Sequence, residues 1–166
     1  MYKRQRHDVG RPDDQGYPIR GMIRGDYLYL KNFETERWPA GNPETGYMNV
    51  DGSPTKTEVL KAKHNKETAY YWQLSFGKRK AEELYNIRKD PDCMVNLAEM
   101  PEYETLKRKL EKEMTLRLVE QEDPRMFGRG GLFDKYPDMS PAHQFWNRTE
   151  AGEKVRSGWV NPTDFQ

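Results

Sequence analysis

Apolar and polar positions along the chain change period twice, and each change marks an element. Ile19 to Arg24 and Tyr27 to Lys31 alternate as two strands around Gly25-Asp26, a pair that favours the tight turn of a hairpin. Glu83-Leu84-Tyr85-Asn86-Ile87 alternates again at the period of a half-buried strand, with Leu84 on one face and Tyr85 and Ile87 on the other, until Asp90-Pro91 stops it. From Pro101 the period lengthens. Tyr103, Leu106, Leu110, Met114 and Leu118 recur every three or four residues and form one apolar helical stripe. Pro101 suits the first helical position, where a missing N–H is not missed, and Glu102 and Glu104 sit where the helix dipole favours negative charge. Glu104/Arg108 and Lys107/Glu111 are spaced to pair along the solvent side. The stripe needs a surface to cover, and the strands supply one.

Shorter signals fill the interval. Ser53-Pro54 resembles a helix N-cap followed by proline at the first helical position, giving a short helix to about Lys63. Lys66 to Phe76 has helical length with Gly77 as its C-cap, and its aromatics Tyr70, Tyr71, Trp72 and Phe76 are read as packing rather than as a ligand platform. Residues 6–20 and 33–54 are loops by their Gly and Pro content, and a loop as long as the second is usually functional or disordered. After Asp123-Pro124 periodicity is lost. The spaced Met126, Phe127, Phe133, Tyr136, Phe145, Trp146 and Trp159 are too many for a freely solvated tail, so residues 125–166 should be mostly irregular yet wrap over the sheet-helix nucleus or over a further domain.

These elements predict an α+β fold: a small antiparallel sheet made of the 19–31 hairpin and strand 83–87, packed against a long C-terminal helix over 101–121, with long irregular loops and tail. Three segments follow: a lead-in at 1–5, a subdomain at 6–124 and the tail at 125–166. The lead-in is basic and featureless, either non-native sequence or a solvated tip.

Composition narrows the options. Charged residues make up 33% of the chain, against about 25% in an ordinary domain, so the core must be small for 166 residues. Lys plus Arg number 28 and Asp plus Glu 27; a net charge of +1 gives no long-range reason to bind nucleic acid or an anionic membrane. No apolar run nears the length of a membrane span. The single cysteine, Cys93, excludes an internal disulfide and a multi-cysteine zinc site.

One run carries a resemblance. Glu83-Leu84-Tyr85-Asn86, then Asp90-Pro91, Asn96-Leu97-Ala98 and Pro101-Glu102-Tyr103, reads E-L-Y-(N/D)-x-x-x-D-P-x-x-x-x-N-L-A followed by P-E-Y and an amphipathic helix. This resembles the C-terminal subdomain of the formylglycine-dependent sulfatases, in particular the heparan N-sulfatase (N-sulfoglucosamine sulfohydrolase) branch and its bacterial relatives. A second block is similar to the same branch: His7-Asp8-Val9, with Gly10-Arg11-Pro12, and Tyr17-Pro18-Ile19-Arg20 opening a strand. The likeness covers roughly residues 6–124. Lys80, where relatives often have proline, and Cys93, at an often acidic position, depart from it.

The family's chemistry needs a Cys or Ser followed by x-Pro-x-Arg, because that residue becomes the formylglycine. No such run exists: Cys93 is followed by Met94-Val95-Asn96, and in Ser53-Pro54 and Ser140-Pro141 the proline comes one place too soon. The resemblance implies that calcium and formylglycine belong to an N-terminal catalytic domain absent from this sequence. No catalytic residue, metal ligand or cofactor is therefore expected in this chain. Asp13-Asp14 lies in a Gly/Pro loop without further acids and reads as a solvated turn pair. His64 and His143 have no partner at metal-ligand spacing. Asn147-Arg148-Thr149 fits the glycosylation pattern.

In the resemblance, the loop bearing His7, Asp8, Arg11 and Arg20 faces the substrate pocket. His and Asp can hydrogen-bond sugar hydroxyls, and the arginine fork suits a sulfate or carboxylate. The same residues also suit an ion-paired loop that holds the first strand, and both uses are open. Expected partners are the N-terminal catalytic domain and a sulfated saccharide, with the parent in a periplasmic or other extracytoplasmic compartment. A stand-alone carbohydrate-binding or interaction module is the rival, favoured by the aromatic-rich tail and the arginine-bearing loop.

Overall fold

The computed structural model describes residues 1–4, 9–155 and 157–165. The fold is α+β, and its contacts divide the chain into two compact units, each assembled from three stretches of sequence. One break falls between Gln5 and Arg6, and the stretch Lys80–Lys135 runs through position 124.

The first unit comprises Met1–Gln5, Pro18–Glu34 and Lys80–Lys135. It holds a four-stranded antiparallel sheet, β1 (Tyr2–Arg4), β2 (Ile19–Arg24), β3 (Tyr27–Asn32) and β4 (Glu82–Asn86), ordered β1-β2-β3-β4. The hairpin forms as expected, with Arg24 opposite Tyr27 and Gly25 in the left-handed region (φ 58°) where glycine is favoured. Register puts Met22, Tyr29 and Leu84 side by side on one face. The long helix α1 follows a 3-10 turn at Pro101–Tyr103 and spans Glu104–Glu120; it lays Leu110, Met114 and Leu118 on those three, with Ala98 completing the buried cluster. Tyr103 and Leu106 pack at the rim. This helix is the longest element described but not the last, since Phe145–Glu150 is also helical.

Two expectations change here. Residues 2–4 of the featureless lead-in pair with β2 as an edge strand, Lys3 opposite Arg20, through backbone groups that carry no sequence period. Lys107 and Glu111 do not pair with each other. Lys31 Nζ reaches Glu111 at 2.7 Å, while Lys107 sits 3.0 Å from Glu104 and 3.5 Å from Glu82. Sheet charges of opposite sign lie within reach, so each helix charge is shared with a strand. Glu104 and Arg108 do pair, at 2.6 Å.

The second unit comprises Arg6–Tyr17, Thr35–Arg79 and Tyr136–Gln166. Helix α2 (Pro54–Ala62) starts where Ser53 Oγ accepts from Lys56 N, as its sequence foretold. Helix α3 (Ala69–Phe76) starts three residues later than its aromatic run suggested, because Asn65 draws Glu67 N and Ala69 N into a turn. Gly77 ends it in extended conformation; a Cβ there would lie 2.6 Å from Gln73 O, so glycine serves close approach rather than a left-handed cap. Tyr47, Leu60, Phe76 and Ala40 form one core, flanked by Trp38 and Trp72. The 33–54 loop therefore supplies core, with Tyr47 fully buried. Tyr70 and Tyr71, expected to pack, are instead 47% and 50% exposed, their rings 4.3 Å apart. The tail contributes α4 (Phe145–Glu150) and a second core of Met48, Ala142 and Phe145, with Val9, Val155 and Val160 beside it.

Candidate functional site

Of the four residues proposed for substrate contact, His7 and Asp8 lie outside the described residues. Arg11 belongs to the second unit and Arg20 to the first.

Gly10 needs its left-handed backbone (φ 75°), and a Cβ at that position would fall 2.5 Å from Thr45 Oγ1, which donates to Gly10 O at 2.7 Å. This tie turns the chain so that Arg11 points inward. Its side chain is buried, with Nε donating to Trp38 O at 2.6 Å and Nη2 to Pro39 O at 3.0 Å, and the guanidinium lies 6.0 Å from the Tyr17 ring centre. Arg37 Nη1 donates to Gly16 O at 2.8 Å. Two arginines thus satisfy carbonyls that a buried loop would otherwise leave without donors. Asp13 and Asp14 hold the other side: Asp14 accepts Gln144 N through both oxygens at 2.8 and 2.7 Å, and Asp13 exchanges hydrogen bonds with the Asn147 side chain. They form a turn pair, both with left-handed backbone, but Asp14 is buried on Gln144 N rather than solvated as expected.

Arg20 opens β2 with its side chain fully buried. Its fork meets Asp123 in a bidentate pair, Nε to Oδ2 at 2.7 Å and Nη2 to Oδ1 at 3.0 Å, and Nη1 donates to Ile19 O. Lys3 Nζ lies 3.5 Å from the same carboxylate, which also accepts Arg125 N at 3.1 Å as the cap of the turn after α1. Burial alone would raise the pKa of Asp123; hydrogen bonds from Arg20 and Arg125 N, with the charges of Arg20 and Lys3, outweigh it and hold the carboxyl below its ordinary value. Sequence reasoning missed Asp123 as this partner. Its one signal is Asp-Pro directly after the helix, a cap pattern that does not reveal a partner 103 residues away.

The residues that carry the resemblance act on backbone. Asn86 Oδ1 accepts Arg88 N and Lys89 N, and the Asp90 carboxylate accepts Met94 N and Val95 N. Asn96 Oδ1 accepts Leu84 N at 2.9 Å and Ala98 N at 3.0 Å, and its Nδ2 donates to Glu82 O. The free edge of β4 is thereby closed by side-chain amides, and the chain is aimed at Pro101 and α1.

Cys93 occupies a left-handed position in the Asp90 turn, and Ser140 is tied to Asp138 by Oγ at 3.0 Å. Among the described residues no three His, Cys, Asp or Glu side chains gather as a cation's donor set. No helix among the described residues is long and apolar enough to cross a membrane. Compared with protein-family models and with curated proteins, the chain matches none.

Proposed function

We propose that this chain is the C-terminal part of a sulfatase acting on sulfated carbohydrate, hydrolysing a sulfuric ester or sulfamate in its full-length parent, with the nucleophile and calcium supplied by the N-terminal catalytic domain. The observation that carries the proposal is the block from Glu83 to Tyr103. Its quoted residues resemble the sulfatase subdomain in sequence, and Asn86, Asp90 and Asn96 spend their side chains on backbone groups of one strand-turn-helix unit. A motif of that kind marks a fold rather than a reaction, as a non-catalytic subdomain requires. His7 and Asp8 are the groups offered to the saccharide. Arg11 and Arg20 are committed to internal acceptors.

The partner surface is proposed on the sheet face away from α1, where Tyr2 is 54% and Ile23 61% exposed beside the half-buried Leu28. Covering such side chains gives the catalytic domain a reason to dock.

A second reading, a carbohydrate-binding module without catalysis, is favoured by the exposed Tyr70 and Tyr71 pair. The reading frame upstream of Met1 separates the two. A Cys/Ser-x-Pro-x-Arg run in frame supports the sulfatase, and a ribosome-binding site directly before Met1 contradicts it. The isolated chain should release no sulfate from aryl or sugar sulfates; turnover that scales with protein and survives chelator would overturn the assignment of chemistry to another domain.

A further inference from the structure

Four oxygens converge on the ammonium of Lys56 inside the second unit. Gly46 O and Val50 O accept from Nζ at 2.7 Å each and Tyr47 O at 3.3 Å, and Asp164 Oδ2 lies at 3.2 Å. The Lys56 side chain is 1% exposed and that of Asp164 0%. An ammonium has three N–H groups, fewer than the oxygens around it. The second carboxylate oxygen of Asp164 is buried and finds no donor among the described residues. Inward-facing carbonyls, a carboxylate and more acceptors than donors make the donor set of a hard cation rather than of a hydrogen-bonded lysine. The distances exceed the roughly 2.3–2.6 Å that calcium takes and suit a monovalent ion of ammonium or potassium size. Burial lowers the pKa of Lys56 from its ordinary value, with Asp164 opposing the shift, so the charge is held away from water.

The segment that brings Asp164 to this cage is tied elsewhere as well, with Val160 packed beside the Met48, Ala142 and Phe145 core. Trp159 Nε1 donates to Met48 O at 3.1 Å, Gly52 N donates to Trp159 O, and Thr163 Oγ1 meets Thr57 Oγ1 at 3.2 Å. Asp164 folds its own approach by accepting Asn161 N at 2.6 Å.

We propose that the cage of Gly46 O, Tyr47 O, Val50 O and Asp164 is a monovalent-cation site filled by the tethered ammonium of Lys56, and that this cation latches residues 159–165 onto the 46–57 stretch. Shortening the lysine vacates the cage for a free cation of the same size. The inference does not rest on the sulfatase proposal.

Hydrogen exchange of residues 159–165, read by mass spectrometry on the full chain, tests it. In choline chloride, Lys56→Ala should speed their exchange by on the order of a hundredfold or more, because a buried charge has lost its partner. Potassium or ammonium chloride at equal ionic strength should restore protection, and choline, too large for the cage, should not. The rescue should vanish in Lys56→Ala/Asp164→Asn. Equal protection in all salts, rescue that survives Asp164→Asn, or a Lys56→Ala chain unfolded in every salt would overturn the site. Asp164→Asn alone keeps the side-chain shape and should loosen 159–165 while α2 stays protected; undiminished protection would overturn the latch.

Discussion

Leu110→Ala places the heaviest demand on the packing described for the first unit. Leu110 is 1% exposed and meets Met22, Tyr29 and Leu84 across the sheet, with Met114 and Leu118 beside it. Truncation removes buried carbons and leaves a cavity, a combination that costs about 2–5 kcal/mol. Two methionines border the site, and their unbranched side chains can lean into part of the void, which places the expected loss near the middle, about 3 kcal/mol. With a urea slope of about 2 kcal/mol/M, the midpoint should fall by about 1.5 M. The probe should lie in the unit that is changed, and Trp38, Trp72, Trp146 and Trp159, the chain's four tryptophans, all lie in the second. Amide exchange of Glu104–Glu120 against urea reads it directly. Exposed Lys109→Ala is the control and should cost within about 0.5 kcal/mol. Equal, small losses for both variants would mean that the stripe of α1 is not what holds the sheet.

Asn96→Ala should cost about 1–3 kcal/mol, because Leu84 N and Ala98 N lose their acceptor at a buried strand edge; a change within error in the same exchange experiment would remove Asn96 from the scaffold. Asp123 sets a pH dependence. Its folded pKa lies below the ordinary 3.8, so its stabilisation is fully present above that value and is lost as pH falls through the lower folded value. Asp123→Asn should flatten the acid limb of the stability curve in that window, and an unchanged limb in acid titrations would show that the Arg20 pair does not stabilise the fold.

What was legible in the sequence was whatever a period could carry. Alternation about Gly25-Asp26 and the Leu106 to Leu118 stripe name side chains that face one surface, and the hairpin and α1 follow from them. Strand β1 was not legible, because Tyr2–Arg4 joins the sheet through backbone groups and presents no apolar alternation. Sharing one helix did not decide the pairings: Glu104 with Arg108 forms, whereas Lys107 and Glu111 on the same helix reach Glu82 and Lys31 of the strands. Lys56 shows the same limit more sharply. It lies in the first turn of a helix, and a carboxylate distant in sequence, Asp164, meets it in the interior. At the candidate site, sequence chemistry offered Arg11 and Arg20 either as anion-binding forks or as ion-paired anchors of the first strand, without naming the internal carbonyls and carboxylate that occupy them.

Desulfation by the full-length parent, measured on a sulfated saccharide and on a small aryl sulfate, tests the proposed function at its centre. His7→Ala and Asp8→Ala should each lower kcat/KM for the saccharide by the worth of a charged hydrogen bond, about 1.5–3 kcal/mol, and leave the aryl sulfate nearly untouched. A parent that cleaves neither substrate, or variants that lose equally on both, would contradict it.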